Sequence, residues 1–192
     1  MKKNIIIVSM CLLAISAVAQ HDHGSGHANT PAPSKNETTH SYRAAPEFQL
    51  HLQQAFIASL QLKEALVSSD AVKAAKSIPS ISTALSEVDL TLLESEALMD
   101  WMTSLKILNA NLERIRGSND LVIQRHAFSA FSDALYKSLK KFGAGGITIY
   151  YARCPMANES AGAHWLSDSK AIRNPYLGNE MLSCGKIKDT IQ

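Results

Sequence analysis

Apolar side chains recur every three or four residues through most of the chain after Glu47, and this spacing constrains the fold more than any other feature. An α-helix places residues at this spacing on one face, which is buried against a neighbouring element. Four such segments joined by short polar connections predict a mainly α fold, an up-and-down four-helix bundle. The second segment runs from Ala71 to Val88, and the other three stripes are Phe48, Leu52, Phe56, Leu60, Leu66 and Val67; Leu98, Met102, Leu105, Leu108, Leu112 and Ile115; and Phe128, Phe131, Leu135, Leu139 and Phe142.

Capping residues predict where these helices begin and end. Asp70 is placed to cap the second helix, which contains Pro79. Because a proline removes one backbone hydrogen bond, we expect either a kink there or two short helices. The segment Thr91-Leu92-Leu93-Glu94 fits a capping box at the start of the third helix. Gly143 is placed to end the fourth helix.

The pattern changes after Gly146. Residues 147–151 are β-branched or aromatic and predict a short strand that leads to Cys154. The remainder of the tail, about residues 147–185, is expected to be rich in loops, with one or two short strands in all. Because so long an irregular segment is uncommon in a compact domain, we expect a disulfide or a metal to hold it against the bundle. Trp165 is expected to anchor the tail to the helices.

Residues 1–19 have the pattern of an export signal. Lys2 and Lys3 precede an apolar segment, and the small residues 17–19 predict cleavage after Ala19. Cys11 would leave with this segment. The apolar stretch is shorter than the roughly 20 residues that cross a membrane, and we expect a protein that is not membrane-spanning. The expected compartment is the periplasm, with secretion as the alternative.

Residues 20–46 predict a disordered leader, and residues 47–192 a single helical domain. The leader has too little apolar surface to offset the entropy of ordering. It carries His21, His23 and His27, and histidines at this spacing can bind Cu(II), Ni(II) or Zn(II). A solvated linker that happens to contain histidine fits the same residues.

The charge balance argues against several classes of function. Without Lys2 and Lys3, 17 basic residues face 17 acidic ones. A nearly neutral chain lacks the positive surface that nucleic acids and anionic lipids require. A nucleophile elbow or a carboxylate with a partner base at a recognisable spacing is also missing from the sequence, and we expect no enzymatic activity.

Two sulfur-containing pairs carry the chemistry of the tail: Cys154-Pro155-Met156 and Met181-Leu182-Ser183-Cys184. Thiolates and thioethers are the ligands that Cu(I) and other soft ions prefer. If residues 154–156 form a strand and residues 181–184 a helical turn, each pair presents both sulfurs on one face. A disulfide between Cys154 and Cys184 is the alternative, and by loop entropy it would contribute about 3 kcal/mol. Methionine also fills protein cores, and the residues alone leave both readings open.

Two histidines are further candidate ligands. His164 precedes Trp165 in the tail and would add a nitrogen donor, although a loop histidine more often faces solvent. His126 lies off the phenylalanine stripe of the fourth helix and is expected to face solvent or to be sheltered by the tail. A zinc site is less well supported because it needs more cysteine or histidine at fixed spacing.

Several motifs of the tail and the helices occur together in this chain: Cys154-Pro155-Met156-Ala157, Trp165-Leu166-Ser167, Ile172-Arg173-Asn174-Pro175-Tyr176, Gly178, Met181-Leu182-x-Cys184-Gly185, Lys63-Glu64-Ala65-Leu66-Val67, Gln124-Arg125-x-x-Phe128 and Phe142-Gly143. With these motifs the chain resembles domain of unknown function family 3347, over about residues 47–190. The resemblance implies a periplasmic protein that binds copper or silver, because family members occur alone behind a signal peptide or fused to periplasmic adaptor subunits of heavy-metal efflux pumps. It implies Cys154, Met156, Met181 and Cys184 as ligands, and an efflux adaptor or another cupro-protein as partner. This sequence shows no adaptor hairpin or barrel segment, which puts direct assembly with a pump in doubt.

Overall fold

The structure is a computed structural model that describes Tyr42 and residues 44–192. Its largest part is a bundle of four α-helices in which each helix packs against the next and the first packs against the fourth. This arrangement confirms the predicted mainly α class and the up-and-down bundle. The helices are α1 (Pro46–Val67), α2 (Ala71–Ser86), α3 (Ser95–Arg116) and α4 (Leu121–Phe142), and a 3-10 turn, Leu90–Leu92, precedes α3.

The bundle core contains most of the predicted apolar stripes, but in the first half of α3 the buried residues lie one position earlier than expected. Trp101 is fully buried, and its ring packs edge-on against Phe48 and Phe142 at centroid distances of 5.4 and 6.1 Å. Met102, which we expected in the core, is 46 % exposed. Successive helical residues point about 100° apart, and Trp101 shares its direction with Leu108 whereas Met102 does not. The expected burial of Met102 was therefore wrong.

The expected start of α2 is confirmed, whereas the expected start of α3 needs correction. Asp70 does cap α2, since a backbone N–H of the first turn donates to its Oδ1 at 2.8 Å. Pro79 lies inside α2 on its exposed side, and α2 is one continuous helix rather than two. The capping box was wrong because the hydroxyl of Thr91 donates to Asp89 Oδ1 at 2.7 Å, and α3 begins only at Ser95.

A three-stranded antiparallel sheet follows the bundle. Its strands are β1 (Ile149–Cys154), β2 (Ala163–Ser167) and β3 (Lys186–Ile191), in the order β2-β1-β3. One or two strands were expected, but only β1 was located in the sequence; β2 and β3 lie in the part that was expected to be loop. β3 is the harder of the two to recognise. Its exposed Lys186 and Lys188 give it the composition of a loop, whereas they are the charged residues of an edge strand.

Aromatic residues attach the sheet to the bundle. Trp165 on β2 is almost completely buried, and its ring lies 6.1 Å from that of Tyr176 in an edge-on contact. Tyr176 in turn lies 5.9 Å from Phe128 of α4. This row of rings confirms the anchoring role expected of Trp165.

The ordered domain begins before the predicted boundary at Glu47. The backbone N–H of Tyr42 donates to Lys141 O at 2.8 Å, and its ring stacks on Phe142 at 5.2 Å. Its hydroxyl donates to Asp100 Oδ2 at 2.8 Å. The predicted export signal and leader histidines lie outside the described residues. Within the described part of the chain, each helix is too short or too polar to cross a membrane.

Candidate functional site

The two cysteines of the tail meet at the end of the sheet. Cys154 is the last residue of β1, and Cys184 lies in the loop that leads into β3, the neighbour of β1. Their Sγ atoms are 2.7 Å apart although the residues are 30 positions apart in the chain. Both are free cysteines; Cys154 is buried and Cys184 partly exposed. The strand order therefore brings together the two thiols that the sequence singled out.

Asn174 holds the loop that carries Cys184. Its side chain is fully buried, and its Nδ2 donates to Cys184 O at 2.8 Å. Its Oδ1 accepts from the backbone N–H groups of Tyr176 and Leu177 at 2.7 and 3.1 Å. Its own N–H donates to Leu182 O at 2.8 Å. The sequence indicated only a turn here, and the charged Arg173 beside Asn174 gave no local signal that its side chain is buried.

Gly185 allows this loop to approach β1 closely. A Cβ atom at this position would lie 2.6 Å from Cη2 of Trp165 and 3.2 Å from Arg153 O. Its φ of +144° also disfavours residues with a side chain. The residue after Cys184 must therefore be glycine for the two thiols to meet in this way.

Met156 and Met181 flank the thiols in the chain and are exposed. Met156 is 51 % exposed and Met181 44 % exposed. The N–H of Cys184 donates to Met181 O at 3.0 Å, which forms the expected turn. The expectation that Cys154 and Met156 share one face of a strand was wrong, since β1 ends at Cys154 and the following proline offers no N–H to continue the ladder. Core filling does not explain either methionine.

The pKa of the Cys184 thiol is raised by its surroundings. The hydrogen bond with Cys154 raises the pKa of the Cys184 thiol, and burial raises it further. A hydrogen bond from the backbone of Met156 acts in the opposite direction and is weaker. Because a metal binds the thiolate, any ion that binds Cys184 at neutral pH must first displace a proton.

His164 lies on the opposite face of the sheet from Cys154. It pairs with Arg153, and successive residues of a strand point to opposite faces. Its Nδ1 is 3.3 Å from Asp133 Oδ1, and its ring stacks on Tyr151 at 4.7 Å. Burial lowers the pKa of His164, while the Asp133 carboxylate partly offsets this effect. The structure therefore does not bring His164 to the thiol pair.

His126 is exposed on α4, as expected, and lines a small pocket of about 180 Å³. Asn158 and Glu159, which belong to a turn with left-handed backbone after Met156, line the same pocket. The tail thus shelters His126 on one side.

A conventional cluster of ligands is not formed. Among Tyr42 and residues 44–192, no three side chains of His, Cys, Asp or Glu are grouped to hold a metal ion. A metal at Cys154 and Cys184 would therefore need thioether sulfurs, or donors from a partner, to complete its coordination.

One comparison with known proteins gives a match, and it falls on the helices. The family described as "Protein of unknown function (DUF3347)" matches residues 56–146, from within α1 to just beyond α4. The match ends before Cys154, and the sulfur pairs lie outside it. No curated protein and no solved structure matches the chain significantly. Residues 56–146 of this chain thus match the DUF3347 family, in agreement with the resemblance predicted from the sequence.

Proposed function

We propose that this protein binds Cu(I), or Ag(I), through the thiols of Cys154 and Cys184 together with the thioethers of Met156 and Met181. The observation that carries the proposal is that two distant thiols lie 2.7 Å apart with an exposed methionine close to each in the chain. Sulfur ligands of both kinds select soft ions over Mg²⁺ or Ca²⁺.

The exposure of the methionines supports ligand roles. A buried methionine contributes to packing, but Met156 and Met181 leave about half of their surface in solvent. A thioether has no proton to lose and stays available as a donor at every pH. Two thiolates alone would leave coordination positions of the ion open, and one or two thioethers would fill them.

Binding requires a small movement of one thiol. Two thiolates that bind one ion at about 2.3 Å in tetrahedral geometry lie roughly 3.7 Å apart. The thiols must therefore separate by about 1 Å from their distance of 2.7 Å. Cys154 is fixed in β1, whereas Cys184 lies in a loop, and we expect Cys184 to move.

The exposure of Cys184 favours a role in storage or transfer of the ion. A partly exposed thiol allows a thiolate of a second protein to replace one ligand at a time. The protein would buffer the ion in the periplasm, or hand it to an efflux adaptor or another cupro-protein. The leader histidines His21, His23 and His27 would capture Cu(II) independently.

A second candidate function is a disulfide-closed interaction module of the cell envelope that binds no metal. It is favoured by the short distance between the sulfurs and by the burial of Cys154. Bond formation would remove two electrons and two protons from the thiols, and a thiol–disulfide oxidant would accept the electrons.

Thiol titration and Cu(I) competition separate the two functions. On protein purified after export, an Ellman titration under unfolding conditions counts the free thiols before and after reduction. Cu(I) affinity of the reduced protein is then measured against a chromogenic chelator. We expect Met156→Leu/Met181→Leu to weaken binding by about tenfold or more, equivalent to at least 1.4 kcal/mol.

The same assay includes two controls. Cys154→Ser/Cys184→Ser should abolish tight binding, and Leu50→Ala, which changes an exposed apolar residue of α1, should leave it unchanged. Cu(I) affinity that is unaffected by the loss of both tail methionines would refute the proposed ligand set. Oxidised cysteines as isolated, with no Cu(I) binding after reduction, would establish the disulfide alternative.

A further inference from the structure

Two further methionines lie on the solvent face of α3. Met99 is 73 % exposed and Met102 is 46 % exposed. Three residues of an α-helix correspond to 300° of rotation, and these two side chains therefore point about 60° apart on one side of the helix. Their Cβ atoms are neighbours at roughly 5–6 Å.

This face of α3 is otherwise mostly polar, with Ile107, which is 45 % exposed, at its border. Glu96, Thr103 and Lys106 are exposed on the same side. An amphipathic helix normally places charged and polar residues there and keeps apolar ones for the core. The buried side of α3 is filled by residues such as Trp101 and Leu108. Core packing therefore does not account for Met99 and Met102.

The exposure of methionine is general in the described part of the chain. Met99, Met102, Met156 and Met181 are each at least 44 % exposed, while the described core is made mainly of leucine, isoleucine, alanine and aromatic residues. A chain that used methionine as core filler would bury at least some of them. The common property of the four residues is a thioether that solvent can reach.

We propose that Met99 and Met102 form a second soft-metal site, which takes Ag(I) or Cu(I) between two thioethers on the surface of α3. Methionine has three rotatable side-chain bonds, and adjacent residues on one helix face can both reach a single ion. Glu96, one turn before Met99, adds a negative charge on this face, and Lys106, one turn after Met102, adds a positive one. The site does not depend on the thiol pair, which lies on the sheet.

Neutral thioethers make this site different from the thiol site. No proton leaves on binding, and the affinity should be independent of pH where methionine is the only ligand. Two thioethers also bind more weakly than two thiolates, and the ion should exchange quickly with solvent or with a partner. Such a site suits loading and release rather than storage.

Methyl NMR tests the proposal directly. The exported protein is labelled with ¹³C at the methionine methyl groups, in a Cys154→Ser/Cys184→Ser background that removes the thiol site. Silver nitrate is then titrated in chloride-free buffer, and methyl signals are assigned by single Met→Leu substitutions. We expect the signals of Met99 and Met102 to shift along one common curve, and Met102→Leu to weaken the response of Met99 by about tenfold.

Two matched variants test whether adjacency is the cause. Met102→Leu/Thr103→Met moves the second thioether to the next position on the same face, four residues from Met99, and should restore binding. Met102→Leu/Asn109→Met has the same composition but places the thioether ten residues away, about 15 Å along the axis, and should not. All substituted positions are exposed, and circular dichroism should show unchanged folding.

Several outcomes would overturn this site while leaving the thiol site untouched. Methyl signals of Met99 and Met102 that do not respond to Ag(I) would do so, as would separate curves for the two methyls. Equal rescue by the Asn109 variant would show that adjacency is irrelevant. If Ile107→Ser leaves the Ag(I)-induced shift of the Met99 methyl unchanged while Met102→Leu weakens it, the metal site is supported. A face that only docks an apolar partner would not respond to silver at all.

Discussion

Replacement of Asn174 by alanine should destabilise the tail and release Cys184. The substitution removes three side-chain hydrogen bonds, one to Cys184 O and two from the N–H groups of Tyr176 and Leu177. It leaves their backbone partners without a protein partner in a buried setting. The loop that carries Cys184 would keep the backbone bond from residue 174 to Leu182 O but lose the side-chain bond to Cys184 O.

The expected magnitude follows from the number of bonds. A typical hydrogen bond contributes a net of about 1 kcal/mol to stability, and three such bonds give about 3 kcal/mol. This corresponds to a decrease of more than about 100-fold in the folding equilibrium constant. The cost would be higher if water cannot reach the stranded backbone groups, since each then keeps its full desolvation penalty.

Urea unfolding measures this change, with Asn111→Ala as the matched control. Asn111 is also almost buried, but its Nδ2 donates only to Ile107 O within its own helix. Alanine moreover favours helix, and the control should lose less than about 1 kcal/mol. Reaction of the reduced protein with Ellman reagent should be faster at Cys184 in Asn174→Ala alone. Equal effects of the two substitutions on stability would refute the role assigned to Asn174.

Three other results are expected. The hydrogen bond with Cys154 is the main cause of the raised pKa of Cys184, and Cu(I) must therefore displace a proton when it binds. The Cu(I) affinity should rise by up to about tenfold per pH unit between pH 6 and 8. An affinity that does not change with pH in chelator competition would contradict thiol ligation. Burial lowers the pKa of His164 below its value in the unfolded chain, and the unfolded state therefore binds more protons as the pH falls. The free energy of unfolding should decrease from pH 7.5 to 5.5, and His164→Gln should lose that part of the pH dependence in urea titrations. Gly185→Ala places a Cβ 2.6 Å from the ring of Trp165 at an unfavourable φ and should destabilise the protein by about 2 kcal/mol; an unchanged melting temperature would show that the loop adjusts freely.

The helices were predictable because their apolar spacing is long and regular. The error in α3 shows the limit of this signal. Both Met102 and Trp101 are apolar, and stripes through either residue fit the spacing almost equally well. The choice depends on the partners, since the ring of Trp101 fills the space between Phe48 and Phe142. Those partners lie on other helices, and a single segment of sequence does not contain that information.

The sheet and the site were predictable only in part. The sulfur chemistry identified Cys154 and Cys184, but their distance depends on β3 pairing beside β1, and β3 reads as a charged loop. The same register places His164 on the other face. Asn174 was missed because a buried amide that binds three backbone groups has no local sequence pattern.

The edge strand β3 also restricts how another protein can approach this domain. Its residues Lys186 and Lys188 are exposed, and β3 forms one border of the sheet. A foreign strand that extended the sheet here would have to strip water from these ammonium groups, which strongly disfavours edge-to-edge association and the start of aggregation. If the proposed function holds, a protein that receives an ion from Cys184 would approach through the loop before Lys186, with its own side chains, rather than by adding a strand to β3. The lysines thus disfavour strand addition at this edge of the sheet, while the thiol two residues earlier is partly exposed.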